Sequence, residues 1–382
     1  MSFKESMYRI SWITPTSFVD VDLPVISELQ KRAKIYWQVI VFGKVNDDLK
    51  SLIESQLHTT ENVKCDYVEI PYRVFDPRTL SFYCNVLKRA KSYNPDLLYT
   101  SLDTAPFGPL VYKLYFPIEK CIIACHNVTT PKGANREHYS RFYINWNLRA
   151  FTNIQVFSES QYDVLNRIYH KKKVLLAPLA IKDYGEPSIE KSGFDNNHIV
   201  FLFFGIISPY KRLDLLIQAA QNLYNKGYQN FKVKIAGSCK SWSEYESMIT
   251  IPELFDTRIE RIPNNEVADL FAQSDYFVMP YQDIAQSGAI TVAYRYNLPI
   301  ILSDLPQFKP YGINGRTCLF FESNNVGDLE EKMIKAIEGG KLLYDELSKG
   351  LASFVQERYS TPVIAKKYLD FFDGLIKQGS DA

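Results

Sequence analysis

A glycine followed by two adjacent cations is the clearest chemical signal in this sequence. Gly205 ends an apolar, strand-like run, and Lys211 and Arg212 open the helical pattern that follows. Open α/β sheets bind their ligands at the carboxyl ends of strands, and a lysine at that position suits a diphosphate. The alternative is a solvated basic pair, but cations oppose the helix dipole at a helix N-terminus. The pattern therefore favours an anionic ligand beside Lys211.

A second candidate element for phosphate binding carries no charged side chain. Gln286, Ser287 and Gly288 follow a strand-like run and a polar loop, and a helical pattern begins at Ala289. Backbone N–H groups at a helix N-terminus bind anions without help from a charged residue. Ser287 could instead serve only as the N-cap, and Gly288 only as a helix packing point. Together with Lys211, the sequence predicts two phosphate-binding elements in one domain.

Several familiar catalytic signatures are absent. The sequence has no GxGxxG after its first strand-like run, no GxxxxGK[ST] loop, no HExxH and no GxSxG. Their absence argues against dehydrogenases, P-loop NTPases, zinc peptidases and α/β-hydrolases. Asp20 and Asp22 could together bind a divalent cation, but Asp22, directly before Leu23-Pro24, fits a helix N-cap better. We therefore expect neither a metal ion nor a bound cofactor.

The composition is that of a folded protein with more than one core. The 382 residues suggest about two to three domains, and 46% hydrophobic with 23% charged residues exclude a disordered or fibrous chain. A net charge of +1 gives no reason to expect a nucleic-acid partner. The six cysteines show no CxxC spacing, and no apolar stretch approaches the roughly 18 residues of a membrane span. We expect a cytoplasmic protein with reduced cysteines.

Alternating strands and helices must position the candidate residues. From Tyr8 onward, short apolar runs alternate with amphipathic patterns, which predicts parallel sheets covered by helices on both faces. A polar, aperiodic stretch over residues 182–198 interrupts the alternation and is typical of a linker. We therefore predict an α/β protein with one Rossmann-like domain over residues 1–185 and a second over 195–345. Helices over 346–382 are expected to cross back to the first domain.

The second predicted domain resembles a known family, the nucleotide-sugar-dependent glycosyltransferases of family 4. The resemblance is carried by FFGIISPYKRLDLLIQA at 203–219, IAGS at 235–238, the stretch 264–280 and GINGRTCLFFESNNVGDLEEKM at 312–333. The first domain is similar to the family only at short segments: 94–96, 124–127 and 158–160. The resemblance implies the GT-B fold, which consists of two facing Rossmann-like doubly wound domains, here with a helical C-terminal tail.

The resemblance also implies roles for individual residues. The catalytic residues would be Lys211, contacting the donor diphosphate, and His126, which follows a strand of the first domain and lies near the donor sugar. Donor-binding residues would be Gly205, Ser208, Arg212, Ile262, Gln286, Ser287 and Gly288, with Ile262 near the nucleobase. A neutral imidazole at a strand end can hydrogen-bond a sugar hydroxyl. The alternative for His126 is a buried histidine without a functional role.

Two carboxylates that the family usually carries are missing. Its Glu-x7-Glu pair would fall on Ile284 and Val292, and the second glutamate normally holds the ribose hydroxyls. Asp283 and Thr291 are adjacent to these positions, but a neighbouring helical position turns a side chain by about 100°. The arginine that often follows the first-loop glycine is replaced by Ile206. We therefore expect the donor to be held differently from the typical member.

One segment suggests contact with a membrane surface. The residues from His138 to Phe151 mix arginines with aromatic residues at a helical period. Basic and aromatic residues suit a lipid headgroup boundary, whereas aromatic residues at helical spacing more often belong to a core. Peripheral contact with the inner membrane face therefore stays open beside a purely cytoplasmic location.

The expected reaction is transfer of a sugar from a nucleoside diphosphate to an acceptor hydroxyl, with retention of configuration and without a metal ion. The expected partners are a nucleotide-sugar donor and a saccharide or glycolipid acceptor, in surface polysaccharide assembly. Two alternatives keep the fold and change the activity. One is a phosphorylase or epimerase. The other is a non-catalytic protein that binds a nucleotide sugar, which the missing carboxylates leave open.

Overall fold

Two separate sheets organise the chain. The computed structural model describes residues 7–57, 61–72, 76–101, 108–129, 137–189, 194–284 and 286–380. The chain divides into unit 1, formed by Met1–Ala180 and Ser360–Ala382, and unit 2, formed by Ile181–Tyr359. Each unit contains one parallel sheet with helices packed on it. This confirms the predicted α/β class with two Rossmann-like domains.

In the described part of the chain, seven strands form the sheet of unit 1. They are β1 (Tyr8–Pro15), β2 (Ala33–Phe42), β3 (Val63–Ile70), β4 (Leu97–Thr100), β5 (Cys121–Ala124), β6 (Asn153–Val156) and β7 (Lys173–Leu176). Their order in the sheet is β3-β2-β1-β4-β5-β6-β7. The strand order reverses between β1 and β4, and ligands of such sheets bind at the carboxyl ends of the strands beside this switch point.

Helices cover both faces of the unit 1 sheet, which is why its strands read as continuous apolar runs. The helices are α1 (Val19–Leu29), α2 (Asp47–Leu57), α3 (Arg78–Ser92), α4 (Gly108–Tyr115), α5 (Glu137–Ala150), α6 (Glu159–Ile168) and α12 (Thr361–Ser380). Residues of α1, α2 and α12 form one core with one face of the sheet. Residues of α3 to α6 form a second core with the other face.

The helix α1 begins earlier than the sequence predicts. It starts at Val19, and Pro24 lies inside it. Asp22 is therefore not the N-cap, which corrects that prediction. Its carboxylate turns into the core, where Oδ2 accepts hydrogen bonds from Trp12 Nε1 at 3.0 Å and Thr14 Oγ1 at 2.6 Å. These donors at the end of β1 hold the carboxylate, which leaves it unable to cap the helix.

The last helix, α12, belongs to the core of unit 1. Gln155 on β6 donates through Nε2 to the Tyr368 hydroxyl at 2.5 Å. The same glutamine accepts through Oε1 from the Tyr99 hydroxyl, also at 2.5 Å. The Trp12 ring stacks on Tyr99 with centroids 3.8 Å apart and lies 5.9 Å from Tyr368. This buried network joins three strands to a helix from the opposite end of the chain.

Unit 2 repeats the architecture with a smaller sheet. Its strands are β8 (Ile199–Phe204), β9 (Phe231–Ala236), β10 (Phe255–Arg258), β11 (Tyr276–Met279), β12 (Ile300–Ser303) and β13 (Cys318–Phe321). Their order is β10-β9-β8-β11-β12-β13. Its helices are α7 (Leu213–Asn225), α8 (Trp242–Glu246), α9 (Asn264–Ala272), α10 (Gly288–Arg295) and α11 (Val326–Arg358). The strand order again reverses in the middle of the sheet, between β8 and β11.

The domain boundaries differ from the predicted ones at 185, 195 and 345. The division falls after Ala180, and the described part of the 182–198 stretch packs in unit 2, where Phe194 stacks on Tyr344 at 4.8 Å. The helix α11 continues unit 2 to Arg358 because Leu347 and Leu351 are buried in its core. Only the segment from Ser360 joins unit 1. Within the described ranges, no helix is long and apolar enough to cross a membrane.

Candidate functional site

The loop after β8 positions the predicted cation. Gly205 has a φ of +104°, a left-handed conformation that glycine adopts without strain. Ser208 has an extended conformation, and a short 3-10 turn, Pro209–Lys211, follows it. The Ser208 carbonyl accepts from the Lys211 N–H at 2.9 Å, which closes the turn. The turn directs the lysine side chain back over the glycine, so that a Cβ at Gly205 would lie 3.2 Å from Lys211 Nζ.

Lys211 is a buried cation. Its side chain is only 8% exposed, and Nζ lies 5.3 Å from the centre of the Tyr281 ring. Within the described ranges, no carboxylate forms an ion pair with it. Burial lowers its pKa from 10.5 to about 8. A desolvated ammonium next to a bare glycine backbone is a prepared contact for an anion.

A second glycine makes this loop possible, and sequence reasoning missed its importance. Gly237 follows β9 with a φ of +152°, and a Cβ there would lie 2.1 Å from the Gly205 carbonyl oxygen. The Gly205 N–H donates to the Ala236 carbonyl at 2.9 Å. The two strand ends therefore touch through their backbones. The signal in the sequence was a glycine directly after each of two neighbouring strands.

Arg212, which follows Lys211, contacts the loops after two other strands. It adopts left-handed φ/ψ angles of 51° and 48° at the N-cap of α7. Its guanidinium forms an ion pair with Asp214 at 2.9 Å. It also donates to Gln282 at 3.4 Å and to Asn324. Arg212 thus joins the loops after β8, β11 and β13 at one edge of the sheet.

The second predicted element lies at the carboxyl end of the neighbouring strand, β11. The Gln282 N–H donates to the Tyr210 carbonyl at 2.9 Å, which fixes this loop to the Lys211 loop. Ser287 is the N-cap of α10, is 7% exposed and makes no side-chain capping hydrogen bond. Gly288 is the first residue of the helix, and Gln286 is half-buried before it. The helix end is therefore able to present its backbone N–H groups to an anion.

Lys182 is a further cation at this helix end, and no sequence pattern singles it out. A Cβ on Gly288 would lie 3.0 Å from Lys182 Cε and 3.2 Å from its Nζ. The Lys182 N–H donates to Thr291 Oγ1 at 3.4 Å, and that hydroxyl donates to the Gly288 carbonyl at 2.8 Å. Lys182 belongs to the polar, aperiodic stretch 182–198, so only the fold brings it to α10.

The positions of the missing carboxylates are filled by the core. Ile284 is 8% exposed and Val292 is 1% exposed. Thr291 is buried and its hydroxyl is already used within α10, so it does not replace the second glutamate. Asp283 is exposed on the loop. Ile262 is also buried, at 7% exposed.

In unit 1, His126 lies at the carboxyl edge of the sheet, two residues after β5. It is 7% exposed, and its imidazole stacks between two phenyl rings. The Phe18 ring is 3.6 Å away and inclined by 3°, and the Phe157 ring is 4.4 Å away and inclined by 19°. Sequence reasoning found the histidine but neither phenylalanine, although each follows a strand end of the same sheet.

Asp22 lies near the same edge, where hydrogen bonds hold its carboxylate. A third hydrogen bond reaches its Oδ2 from Ser101 Oγ at 2.9 Å. Desolvation raises the pKa of Asp22 to about 6, and the hydrogen bonds from Thr14, Trp12 and Ser101 limit that rise. Across the described ranges, no group of three or more His, Cys, Asp or Glu side chains could hold a metal ion.

Comparison with known proteins identifies similar sequences and folds. Residues 186–350 match the family described as glycosyl transferases group 1. The uncharacterised glycosyltransferase MJ1178 of Methanocaldococcus jannaschii is 25% identical over 142 residues, which are 37% of this chain and 39% of that protein. The aligned part thus covers about two fifths of this relative.

Solved structures share the fold of both units. Sucrose-phosphate synthase from Thermosynechococcus elongatus matches with a TM-score of 0.73 at 12% identity, over 97% of this chain and 100% of that one. HepE from Anabaena, solved in complex with UDP-glucose, matches with a TM-score of 0.71 at 12% identity, over 96% of this chain and 100% of that one. At such identities the likeness establishes the GT-B fold alone.

Proposed function

We propose that this chain is a glycosyltransferase that moves a sugar from a nucleoside diphosphate to an acceptor hydroxyl. The observation that carries the proposal is the Lys211 ammonium, buried beside Gly205 at the carboxyl edge of the unit 2 sheet. The match of residues 186–350 to the family described as glycosyl transferases group 1 supports the proposal, because this loop lies within the matched residues. Both support a donor in which a diphosphate links a nucleoside to the sugar.

The leaving diphosphate is the centre of the proposed mechanism. Lys211 contacts it, and the backbone N–H groups at Ser287 and Gly288 receive its distal phosphate. When the bond from the sugar to the diphosphate breaks, negative charge grows on the phosphate oxygens. Fixed donors in a desolvated site stabilise that charge more in the transition state than in the ground state, which lowers the barrier. Gly205, Ser208 and Gln286 belong to the same two loops and complete the proposed donor site.

The remaining features of the reaction are part of the same proposal. The donor is a UDP-sugar, since HepE, which shares the fold, was solved with UDP-glucose. His126 contacts the donor sugar, and the acceptor is a saccharide or glycolipid in surface polysaccharide assembly. Transfer retains the anomeric configuration, as the resemblance to family 4 implies. It needs no metal ion, because Lys211 and a helix end supply the positive charge that a cation would otherwise bring.

Thermal unfolding with a panel of nucleotides tests the donor. A ligand that binds only the folded protein raises its unfolding midpoint by mass action, so UDP should raise it more than GDP, ADP or CMP at equal concentration. NMR of the product formed from UDP-glucose and an acceptor then reads the anomeric configuration, and EDTA should leave the rate unchanged. The absence of any shift with all four nucleotides would contradict the proposal.

The same assay separates the two alternatives. A non-catalytic binding protein shows the thermal shift but consumes no donor. A phosphorylase or epimerase changes the donor without an added acceptor, so products must be compared with and without acceptor. Epimerisation appears as a new nucleotide sugar, and phosphorolysis requires inorganic phosphate.

Contact with an anionic membrane surface belongs to the proposal as well. On unit 1, Leu110 and Leu114 of α4 are 58% and 72% exposed, and Phe142 of α5 is 61% exposed. The neighbouring helices α3, α4 and α5 carry four, one and two Lys or Arg residues, against one acidic residue, Glu137. Exposed apolar side chains beside basic ones complement a bilayer with anionic headgroups.

Vesicle sedimentation tests this surface. Phosphatidylglycerol vesicles should sediment the protein more strongly than phosphatidylcholine vesicles, and Leu114→Ser should weaken the effect. Leu342→Ser is the matched control, because Leu342 is 73% exposed on unit 2. Equal sedimentation with both lipids, or equal loss in both variants, would contradict membrane docking at α4.

A further inference from the structure

The carboxyl edge of the unit 1 sheet carries a row of three stacked rings. His126 follows β5, Phe157 follows β6, and Phe18 comes from the turn between β1 and α1. Because β4 lies between β1 and β5 in the sheet, Phe18 reaches past the end of one strand to contact His126. The row therefore lies beside the β1/β4 switch point, where sheets of this type bind ligands.

The two phenyl rings cover both faces of the imidazole. With interplanar angles of 3° and 19°, the three rings are close to parallel. A stacked ring on each side opposes tilting of the imidazole, since tilting would drive its edge into a phenyl face. The ring nitrogens are therefore held in one plane, and a ligand can meet His126 only at its edge.

The local sequence around Phe18 argues that this contact is not incidental. Phe18 is the N-cap of α1, and no side chain caps that helix end. Ser, Thr, Asp or Asn at an N-cap stabilises a helix by about 0.5–2 kcal/mol relative to residues that cannot cap. The chain forgoes this stabilisation at a half-buried position whose aromatic ring lies against His126.

We propose that Phe18 and Phe157 are positioning residues that hold the His126 imidazole edge toward the donor sugar. This inference rests on the proposed glycosyltransferase function. Fixed orientation matters because a reacting or stabilising group displaced by about 1 Å can lower the rate by a factor of about 100.

Phe18→Leu is the most informative substitution, because Phe18 is half-buried whereas Phe157 is fully buried and its loss could unfold unit 1. Leucine retains apolar volume and removes the flat face. With UDP-glucose as donor, kcat should fall about tenfold with little change in donor KM, because the imidazole then samples displaced orientations. Phe18→Tyr keeps the ring and should restore kcat to within about threefold of wild type. Phe82→Leu, at another half-buried phenylalanine of unit 1, is the control.

Proton NMR of the imidazole provides a readout that does not depend on activity. The His126 ring protons, assigned by their loss in His126→Gln, should be shifted upfield by the two flanking rings, and Phe18→Leu should reduce that shift. Unchanged resonances in Phe18→Leu would refute the stack. Changed resonances with unchanged kcat would refute its positioning role. If the wild-type protein consumes no UDP-glucose or other nucleotide sugar, the proposed function itself fails, and the NMR result still reports whether the rings stack.

Discussion

Replacing Lys211 with methionine should stabilise the protein and abolish sugar transfer at the same time. Methionine keeps an unbranched apolar side chain and removes the ammonium. In the wild type, that ammonium is buried without an ion-pair partner in the described part of the chain. The ammonium is desolvated in the folded protein but hydrated in the unfolded chain, so its burial lowers the free energy of unfolding.

The size of the effect follows from the pKa of Lys211. Burial lowers it from 10.5 to about 8, and one pKa unit corresponds to about 1.4 kcal/mol. At pH 7, where both states are protonated, the shift corresponds to roughly 3 kcal/mol of lost stability. As pH rises from about 8 to 10.5, the folded state releases its proton before the unfolded state does. The wild type should therefore regain this free energy across that window, and the difference from Lys211→Met should shrink.

Calorimetry of the ligand-free proteins at pH 7 and pH 10 measures this difference. For a unit the size of Ile181–Tyr359, 3 kcal/mol corresponds to a midpoint shift of roughly 6–12 °C. Lys240→Met is the matched control, because Lys240 is exposed in the same unit and should leave the midpoint unchanged. UDP should stabilise the wild type more than Lys211→Met, since the variant lacks the phosphate contact.

Two results would refute this reasoning. If Lys211→Met unfolds at or below the wild-type temperature at pH 7, the ammonium is solvated or paired in the folded protein. Its burial then does not destabilise the wild type. If the variant retains near-normal kcat/KM with UDP-glucose, Lys211 does not stabilise the leaving diphosphate. Increased stability with lost turnover is the combination that the structure predicts.

Three further substitutions test the same architecture. Gly237→Ala should destabilise unit 2 by about 3 kcal/mol or more in urea unfolding, because its Cβ would collide with the Gly205 carbonyl oxygen. Asp22→Asn should remove a pH dependence: Asp22 has a pKa raised from 3.8 to about 6, so the wild type loses roughly 3 kcal/mol as pH rises through that window and the variant does not. Arg212→Gly should raise the donor KM in steady-state assays. Glycine tolerates the left-handed backbone there, so the change isolates the loss of the charge-assisted contacts, worth roughly 1.5–3 kcal/mol.

Each of these substitutions has a result that would count against it. Gly227→Ala is the control for Gly237, because its φ is +99° but its Cβ would meet nothing within 4 Å. Equal destabilisation by the two alanines would mean that strain in φ, and not the collision, sets the cost. Parallel pH profiles for wild type and Asp22→Asn would place the Asp22 carboxyl in water. An unchanged donor KM in Arg212→Gly would mean that the three loops hold their shape without the guanidinium.

Much of the fold could be predicted because the local patterns are strong. The run Tyr8–Thr14 predicts a strand that the structure has as Tyr8–Pro15, and the break at Thr361-Pro362 falls where α11 gives way to α12. Parallel strands covered on both faces give apolar runs of strand length, so they are visible without an alignment. The start of α1 was predicted four residues late, because Asp22 and Pro24 imitate a helix start.

Less of the candidate site could be predicted from the sequence. The positions of Gly205, Lys211 and Ser287 at strand and helix ends followed from the pattern. The contacts of Arg212 with the loops after two other strands could not be predicted from the pattern, because Asn324 is 112 residues away along the chain. Lys182 was missed for the same reason, since nothing in its neighbourhood indicates that it packs on α10.

The sequence by itself determined the order of strands and helices, the glycine that lets a backbone loop turn, and the lysine that follows it. These depend on residues within a few positions of one another, where steric and hydrogen-bonding preferences act locally. Only the tertiary structure decided that Lys211 is desolvated, that Phe18 covers a histidine 108 residues away, and that α12 packs in unit 1. Burial, stacking and the pKa of a side chain depend on neighbours that folding brings together. The hydrophobic periodicity of the sequence does not identify those neighbours.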